Sequence, residues 1–153
     1  MAQPDASGQP PRLLLEIVTP EKLLISQPVD MVIVPGSEGD FGVLPGHCPL
    51  LSLLRIGELQ YKVGEQSQFV SILSGFAEVT SNKVTVLADI AEKAEEIDVD
   101  RAEAAVARAE ERLERGGLPS DVEEAKISRE KARLRKKIAE RAGRERPKGT
   151  IHS

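Results

Sequence analysis

The first half of the chain, from Leu13 to Asp89, is a series of short apolar runs, several of which alternate apolar and polar positions. Turn-forming pairs such as Thr19-Pro20 and Ser81-Asn82 separate these runs. Short strands with frequent turns and no helical pattern between them predict an antiparallel β-sandwich or barrel. We expect this domain to span residues 13–90. The runs are LLLEIVT, KLLISQ, VDMVIVP, GELQYKV, QFVSILSG, FAEVTS and KVTVLAD.

The pattern changes after a predicted linker at residues 91–97, where the chain becomes rich in Ala, Arg and Glu. These residues favour helices, and Asp98 is a suitable N-cap. Gly116-Gly117 predicts the end of this first helix, which we place at residues 98–115. Its apolar residues recur at helical spacing on one face. They are Ala102, Ala105, Val106, Ala109 and Leu113.

A second helix is predicted over residues 120–142, because Ser120 and Glu123 have the spacing of a capping box. The fold class is therefore α+β and mainly β, with an N-terminal β-sandwich and a C-terminal antiparallel hairpin of two helices at residues 98–142. The second helix has two thin apolar stripes rather than one broad face, so we expect the hairpin to be only marginally stable. The stripes are Val122, Ala125, Ala132 and Ala139, and Ile127, Leu134 and Ile138.

The two ends of the chain differ from both domains. Residues 1–12 are polar and rich in Pro and Gly, which predicts a disordered extension. Residues 143–153 are predicted to form a flexible tail. No apolar run approaches the ~20 residues that cross a bilayer, and no basic segment precedes the first leucines as in a secretory signal. With its one cysteine, the sequence indicates a protein of a reducing compartment that does not insert into a membrane.

Charge is distributed unevenly along the 153 residues. Residues 1–97 hold 6 Lys/Arg and 13 Asp/Glu, a net −7; residues 98–125 hold 4 and 9, a net −5; and residues 126–153 hold 11 and 3, a net +8. An acidic body with a basic C-terminal segment indicates an acidic partner for that segment. The segment has no aromatic residue to stack on a base, so the sequence does not favour nucleic acid as a partner.

The stretch GSEGDFGVLPGHCPLLSLL, at residues 36–54, raises three chemical hypotheses. A phosphate loop is excluded by spacing, since the stretch has neither the Walker A nor the dinucleotide glycine pattern. A metal site is not predicted, because adjacent His47 and Cys48 on a strand would point to opposite faces. The same geometry argues against a catalytic Cys–His pair, so we predict no catalytic and no metal-binding residues.

Two interpretations of this stretch remain open from its chemistry. Glycines permit unusual turns and prolines stiffen the path, which predicts a rigid loop. The loop is either a protein-docking surface or a tight connection that closes the sandwich. In the docking interpretation it presents an acidic and partly apolar set of side chains. The set is Glu38, Asp40, Phe41, Val43 and Leu44.

Three segments together resemble the epsilon subunit of the F-type ATP synthase. They are VPGSEGDFGVLPGHCPLLSLLRIGEL, ILSGFAEVTSNKVTVLADIAEKAEEID and the helical hairpin rich in Ala, Arg and Glu. The resemblance covers Leu13 to Ala142 in order. It implies a non-catalytic subunit of the central stalk on the cytoplasmic face of the bacterial inner membrane, held there by the proton-translocating complex.

The resemblance also implies partners and a mechanism. The loop at residues 36–47 would meet the polar loops of the c ring through the five side chains named above together with Ser37 and His47. Another surface of the sandwich would hold the gamma subunit. The hairpin would switch between a form folded against the sandwich and an extended form that reaches the alpha and beta subunits and inhibits ATP hydrolysis. The contact with an acidic segment of beta would use Lys126, Arg129, Arg133, Arg135, Lys136 and Lys137.

A regulatory nucleotide site is a further expectation from the resemblance, although no cofactor is required. Some bacterial members bind ATP through an I/L-D-x-x-R-A motif and two arginines of the second helix. Ile97, Asp98, Arg101 and Ala102 match that motif, and Arg133 matches the first arginine. Lys137 replaces the second, and a lysine cannot fork around a phosphate as arginine does. Asp98 as an N-cap and Arg101 as a residue that pairs on the helix surface are sufficient to account for the motif without a nucleotide.

Two other classes of function remain as alternatives. One is a free-standing β-sandwich adaptor whose basic helical arm binds an acidic partner, nucleic acid included. The other is a small enzyme that uses Cys48 and His47. Activity lost in Cys48→Ala would support the enzyme, and salt-dependent binding of DNA would support the adaptor.

Overall fold

The computed structural model describes residue 4 and residues 6–145. The chain divides into two compact units between Glu92 and Lys93, close to the predicted domain boundary. Of the predicted N-terminal extension, residues 1–3 and 5 lie outside the described part, and the remaining residues up to Arg12 form no helix or strand. Neither described helix is long and apolar enough to span a membrane.

The first unit is an eight-stranded sheet folded into a β-sandwich, which confirms the predicted class. The strand order is β2-β1-β8-β7-β5-β3-β4, with β6 pairing with β3 and β7. Strands β1 and β8 are parallel, whereas β1–β2, β3–β4, β5–β7 and β6–β7 are antiparallel. The strands are β1 Leu13–Val18, β2 Leu23–Val29, β3 Met31–Gly36, β4 Gly39–Val43, β5 Leu50–Leu54, β6 Gly57–Val63, β7 Gln66–Val79 and β8 Lys83–Lys93.

The core of the sandwich is aliphatic and follows the alternation of the strands. In β1, for example, Leu13, Leu15 and Ile17 are fully buried, while the residues between them are partly exposed. Alternate side chains of a strand point to opposite faces of the sheet, so one apolar stripe per strand lines the core. Tyr61 is the one aromatic residue of the core cluster.

Three features of the strands differ from the sequence-based prediction. VDMVIVP is split at Asp30, whose carboxylate accepts the amide of Gly64 at 2.6 Å and pairs with Arg12 at 3.1 Å. QFVSILSG and FAEVTS form the single strand β7, interrupted only by Ser74 and Gly75, whose φ values are +62° and +135°. Strands β4 and β5 were not predicted, because glycine and proline are frequent in and beside them.

The second unit contains the predicted hairpin with altered bounds. The predicted linker at residues 91–97 is wrong, since β8 extends to Lys93 and a 3-10 turn spans Ala94–Glu96. Helix α1 is Val99–Arg115, and the side chain of Asp98 accepts the amide of Arg101 at 3.1 Å, as predicted for the N-cap. The chain then leaves the helix at Gly116, where φ is +69°.

Helix α2 is Pro119–Glu145, so the predicted bounds 120–142 are too short at both ends. Proline suits the first position of a helix, and the amides of Asp121 and Val122 both donate to the carbonyl of Leu118. Ser120 therefore lies inside the helix and is not its cap. At the other end, residues 143–145 are helical instead of part of a tail; residues 146–153 lie outside the described part.

The contact between the helices is formed mainly by alanines. Ala102 and Ala109 of α1 and Ala125 and Ala132 of α2 are buried, and in each helix the two alanines are seven residues apart. Ile138 is the large side chain of α2 that is fully buried. The predicted apolar stripes of α2 are therefore only partly buried; Ile127, for instance, is exposed.

Candidate docking surfaces

The β3–β4 hairpin holds the first candidate surface on a fixed backbone. The strands pair from Val32 with Val43 to Gly36 with Gly39, which leaves Ser37 and Glu38 at the turn. A Cβ at Gly36 would lie 2.7 Å from the carbonyl oxygen of Gly39, so only glycine fits there. The amide of Ser37 also donates to the carbonyl of Leu53 at 2.8 Å. The segment predicted to be a rigid loop is thus a β-hairpin anchored on β5.

The side chains predicted to face outward at residues 37–47 do not all do so. The prediction is wrong for Val43, which is fully buried in the core because it lies on the inward face of β4. Phe41 is partly buried against the same core. Ser37, Glu38, Asp40 and Leu44 are exposed, and His47 is half-buried. Only part of the predicted set is therefore available to a partner.

The net negative charge of the β3–β4 hairpin is smaller than its two acids, Glu38 and Asp40, would give alone. The carboxylate of Asp40 forms an ion pair with the guanidinium of Arg55, a residue outside the predicted set. Arg55 also donates to the carbonyl of Ile56 at 3.2 Å, which orients its side chain. Glu38 is in no ion pair with another described residue. The turn thus presents one uncompensated carboxylate.

His47 and Cys48 do not form a catalytic pair in this structure. The Nδ1 atom of His47 lies 2.6 Å from the carbonyl oxygen of Cys48. A carbonyl can only accept, so Nδ1 carries the proton and donates it. The thiol of Cys48 is exposed and free. Within the described part of the chain, no group of His, Cys, Asp and Glu side chains could hold a metal ion.

The second candidate surface is an apolar row across five strands, which the sequence analysis missed. Leu23 pairs with Val18 across β2 and β1, and Val18 pairs with Leu87 of β8. Next along the sheet, Phe76 of β7 pairs with Leu53 of β5. Four of the five are exposed; for Leu53 the exposed fraction is 69%. We call these five residues the apolar row.

A groove lies in the middle of the apolar row, where Val18, Leu87 and Phe76 approach one another. The backbone there is closely packed, because a Cβ at Gly75 would lie 2.1 Å from the carbonyl oxygen of Leu87. The hydroxyl of Ser74 donates to the carboxylate of Asp89 at 2.6 Å on the rim. The groove is lined by Val18, Thr19, Pro20, Gly75, Phe76, Leu87, Ala88 and Asp89.

The third candidate surface is the basic side of α2, where ion pairs occupy part of the predicted set. Arg133 pairs with Glu110 of α1 at 2.7 Å, and Lys136 pairs with Glu103 of α1 at 3.1 Å. The hydrogen bond and the charge of Glu103 raise the pKa of Lys136. Both pairs connect the two helices.

The remaining cations of the predicted set are less engaged with α1. Lys126 pairs with Glu123 of its own helix at 4.0 Å. Lys137 is exposed and Arg129 is half-buried, and neither is in an ion pair among the described residues. Arg135 is half-buried. The α2 surface therefore contains both cations paired with α1 and cations open to solvent.

The residues of the predicted nucleotide motif lie at the start of α1. Ile97 and Ala102 are buried and Asp98 caps the helix, so three of the four have structural roles. Arg101 is exposed. Arg133 forms an ion pair with Glu110. Glu110 follows Arg101 by nine residues, which is ~13 Å along α1 at ~1.5 Å per residue. The structure does not bring Arg133 to the motif.

Two family models match this chain in succession. The β-sandwich domain of the ATP synthase delta/epsilon chain matches residues 12–94, and the long α-helix domain of the same chain matches residues 95–140. The chain belongs to the ATP synthase delta/epsilon family. It is thus a non-catalytic subunit of the ATP synthase, and the hypothesis of an enzyme based on Cys48 is wrong.

Curated relatives and solved structures agree with this assignment. The ATP synthase epsilon chain of Syntrophobacter fumaroxidans is 48% identical over 130 residues, which are 85% of this chain and 97% of that one. The epsilon chain of Nitratidesulfovibrio vulgaris is 59% identical over 101 residues, 66% of this chain and 75% of that one. A chain in the Euglena gracilis mitochondrial ATP synthase has the same fold, with a TM-score of 0.73, 22% identity and coverage of 88% and 86%.

Proposed function

We propose that this ATP synthase subunit joins the gamma subunit to the c ring and restrains ATP hydrolysis with its helical hairpin. The observation that carries the proposal is the apolar row of the sandwich. Contiguous exposed apolar surface of this kind marks interaction sites on soluble domains. A subunit that transmits rotation needs such a permanent contact on its rigid part.

The apolar row is the surface that we assign to gamma. Its side chains extend across five neighbouring strands, so a partner would contact the sheet rather than a loop. The charged Asp89 and the polar Thr19 lie beside it, as in the polar rim around the apolar centre of protein interfaces. Leu51, which is also exposed and lies two residues from Leu53 on β5, enlarges the apolar area.

The β3–β4 turn is the surface that we assign to the c ring. Its backbone is fixed by strand pairing and by the Ser37–Leu53 hydrogen bond, so it can bear load. With Asp40 neutralised by Arg55, Glu38 is the group that can select a polar or cationic loop. Leu44, exposed after β4, adds apolar contact.

The hairpin is the element that we assign to inhibition. Its helices are held mostly by small side chains and exposed ion pairs, so its closed and open forms can lie within a few kcal/mol of each other. Residues 98–145 in one straight helix would span ~70 Å at ~1.5 Å per residue. Unpaired Arg129 and Lys137 can then meet an acidic segment of the beta subunit.

Regulatory binding of ATP is a separate part of the proposal. Arg101 and Lys137 are exposed and could contact phosphates, but Arg133 would first have to leave Glu110. Titration calorimetry of the full chain with ATP tests this directly. Heat of binding that is lost in Arg101→Ala would support the site, and no binding at millimolar ATP would contradict it.

The bacterial relatives also support the expected location, at the cytoplasmic face of the inner membrane as part of the complex. The alternative of a free-standing adaptor predicts a different distribution. A pull-down of the chain from detergent-solubilised membranes should recover gamma, beta and c ring; recovery of none of them would favour the adaptor.

The assignment of the apolar row is tested by a matched pair of substitutions. Leu53 and Leu118 have exposed fractions of 69% and 68%, but Leu118 lies between the two helices. We expect Leu53→Lys to abolish binding of gamma in a pull-down and Leu118→Lys to leave it intact. Equal binding of gamma by both variants would show that the apolar row is not the surface that contacts gamma.

The assignment of the β3–β4 turn has its own control. Glu38 and Glu65 are both exposed acids in turns of the sandwich. We expect Glu38→Lys to reduce ATP-driven proton pumping in membrane vesicles, and Glu65→Lys to have no effect. Unchanged pumping with Glu38→Lys would contradict contact of this turn with the ring.

A further inference from the structure

We propose that Glu103 and Glu110 of α1 compete with the acidic partner for the cations of α2. In the closed hairpin these glutamates occupy Arg133 and Lys136, so inhibitory docking must first release them. The inference rests on the inhibitory role proposed above. It adds an internal competitor, built into the first helix, that sets how readily the hairpin engages.

The two glutamates bind the cations of α2 as an acidic partner would. Glu110 Oε1 lies 2.7 Å from Arg133 Nη2, and Glu103 Oε1 lies 3.1 Å from Lys136 Nζ. The two glutamates are seven residues apart, so they lie on the same side of α1. The side chains of Arg133 and Glu110 are 56% and 46% exposed, so another carboxylate can approach and replace Glu110.

Arg133 occupies a central place on the basic face of α2. Lys126, Arg129, Arg133 and Lys137 follow one another at spacings of three, four and four residues. Residues three and four apart are neighbours on a helix surface, so these four cations form one continuous row. While Glu110 holds Arg133, the row is interrupted in its middle. Release of Arg133 completes it.

Arg129 provides a matched comparison with Arg133. Both are arginines of the same row; Arg133 is exposed and Arg129 is half-buried, and Arg129 is in no ion pair among the described residues. Replacing Arg129 removes a docking contact and breaks no ion pair between the helices. Replacing Arg133 removes a docking contact and also a contact that keeps the hairpin closed, so its two effects on inhibition oppose each other.

Opening of the hairpin is measured first, on the full chain without partners. Fluorophores at Asp100→Cys and Arg144→Cys, in a Cys48→Ala background, would be ~66 Å apart in a straight helix at ~1.5 Å per residue. We expect Glu110→Gln to raise the ratio of open to closed chains roughly two- to fivefold, as for loss of an exposed pair. Glu111→Gln, whose partner Arg115 is in the same helix, should leave the ratio unchanged.

Inhibition is then measured on ATP hydrolysis by the reassembled complex. We expect Glu110→Gln to lower the concentration for half-inhibition, Arg129→Gln to raise it, and Arg133→Gln to have a smaller effect than Arg129→Gln. In the Glu110→Gln background, Arg133→Gln should weaken inhibition as much as Arg129→Gln does, since no internal competitor remains.

Two results would overturn the competition. One is an unchanged open-to-closed ratio in Glu110→Gln. The other is an equal loss of inhibition for Arg129→Gln and Arg133→Gln in the wild-type background, or no loss for either. Failure of the proposed inhibitory function is recognised separately, because then deletion of residues 98–153 would leave hydrolysis unchanged.

Discussion

The sandwich and the hairpin of this ATP synthase subunit are built on different principles. Among the twelve largest fully buried side chains, eleven belong to the sandwich, and Ile138 alone belongs to the hairpin. The interface between α1 and α2 instead buries alanines and is bordered by exposed ion pairs. Burial contributes about 0.8 kcal/mol per CH₂ group, so the hairpin gains far less from its packing than the sandwich does.

The difference indicates a division of tasks. A densely packed sheet keeps its surface residues in fixed positions, which suits the apolar row and the β3–β4 turn as docking surfaces. A helical pair held by small contacts can exchange between conformations at low cost. On the proposed function, the same sequence encodes a rigid platform and an element that moves, and we expect each to be perturbed without the other.

The largest expected effect is in the core of the sandwich. Leu59 is fully buried, so Leu59→Ala should lower the free energy of unfolding by about 2–5 kcal/mol through the lost burial and the cavity left behind. Urea denaturation followed by circular dichroism measures it. Leu53→Ala, at an exposed leucine, should change it by less than about 0.5 kcal/mol. Similar losses in both variants would contradict the packing described for this unit.

The next effect is confined to the hairpin. Ala132 is buried between the helices and Ala107 is exposed on α1. Ala132→Leu should destabilise the closed hairpin by about 1–3 kcal/mol, because the larger side chain does not fit, and Ala107→Leu should not. Amide hydrogen exchange in α1 and α2 reports the difference. If exchange in β1 or β7 rose equally, the two units would not be independent.

A smaller effect is expected at the start of α1. The carboxylate of Asp98 accepts the amide of Arg101, and loss of such a cap costs about 1 kcal/mol. Asp98→Ala should therefore increase amide exchange in the first turn of α1, whereas Asp98→Asn should retain protection. Equal protection in both variants would show that the cap does not stabilise the helix.

The smallest effect depends on pH. Glu103 raises the pKa of Lys136 above the ordinary value of 10.5, so the charged lysine is favoured in the closed hairpin. This contribution is complete below pH 10.5 and is lost as the pH rises through the higher pKa of the closed form. The fluorophore distance should therefore increase from pH 9 to pH 11.5 more in the unaltered hairpin than in Lys136→Gln. Equal responses would exclude Lys136 as the cause.

The sequence predicted the features that depend on neighbouring residues, such as strand alternation and helix caps. The alternation in LLLEIVT predicted β1 and its buried face, and Asp98 predicted the start of α1. The predicted start of α2 was wrong. Ser120 and Glu123 have the spacing of a capping box, but Pro119 is the first residue of the helix. Strand β4 was likewise not predicted, because its glycines are unfavourable in strands and its pairing with β3 depends on the whole sheet.

The candidate docking surfaces were harder to predict, since they join residues distant in sequence. The apolar row unites Leu23, Leu53 and Phe76 with two other residues, and its register follows from the strand order. The pairing of Asp40 with Arg55 and of Arg133 with Glu110 is equally non-local. One signal was visible in advance: LLSLL of β5 has more leucines than one buried face can accept.

The central claim is that the sandwich docks and the hairpin regulates, and removal of residues 98–153 tests it most directly. The measurement is ATP hydrolysis by the complex assembled with the full chain or with the truncated chain, together with the amount of each chain that is incorporated. We predict equal incorporation and faster hydrolysis with the truncated chain. Full inhibition by the truncated chain, or its failure to assemble, would contradict the division between the two units.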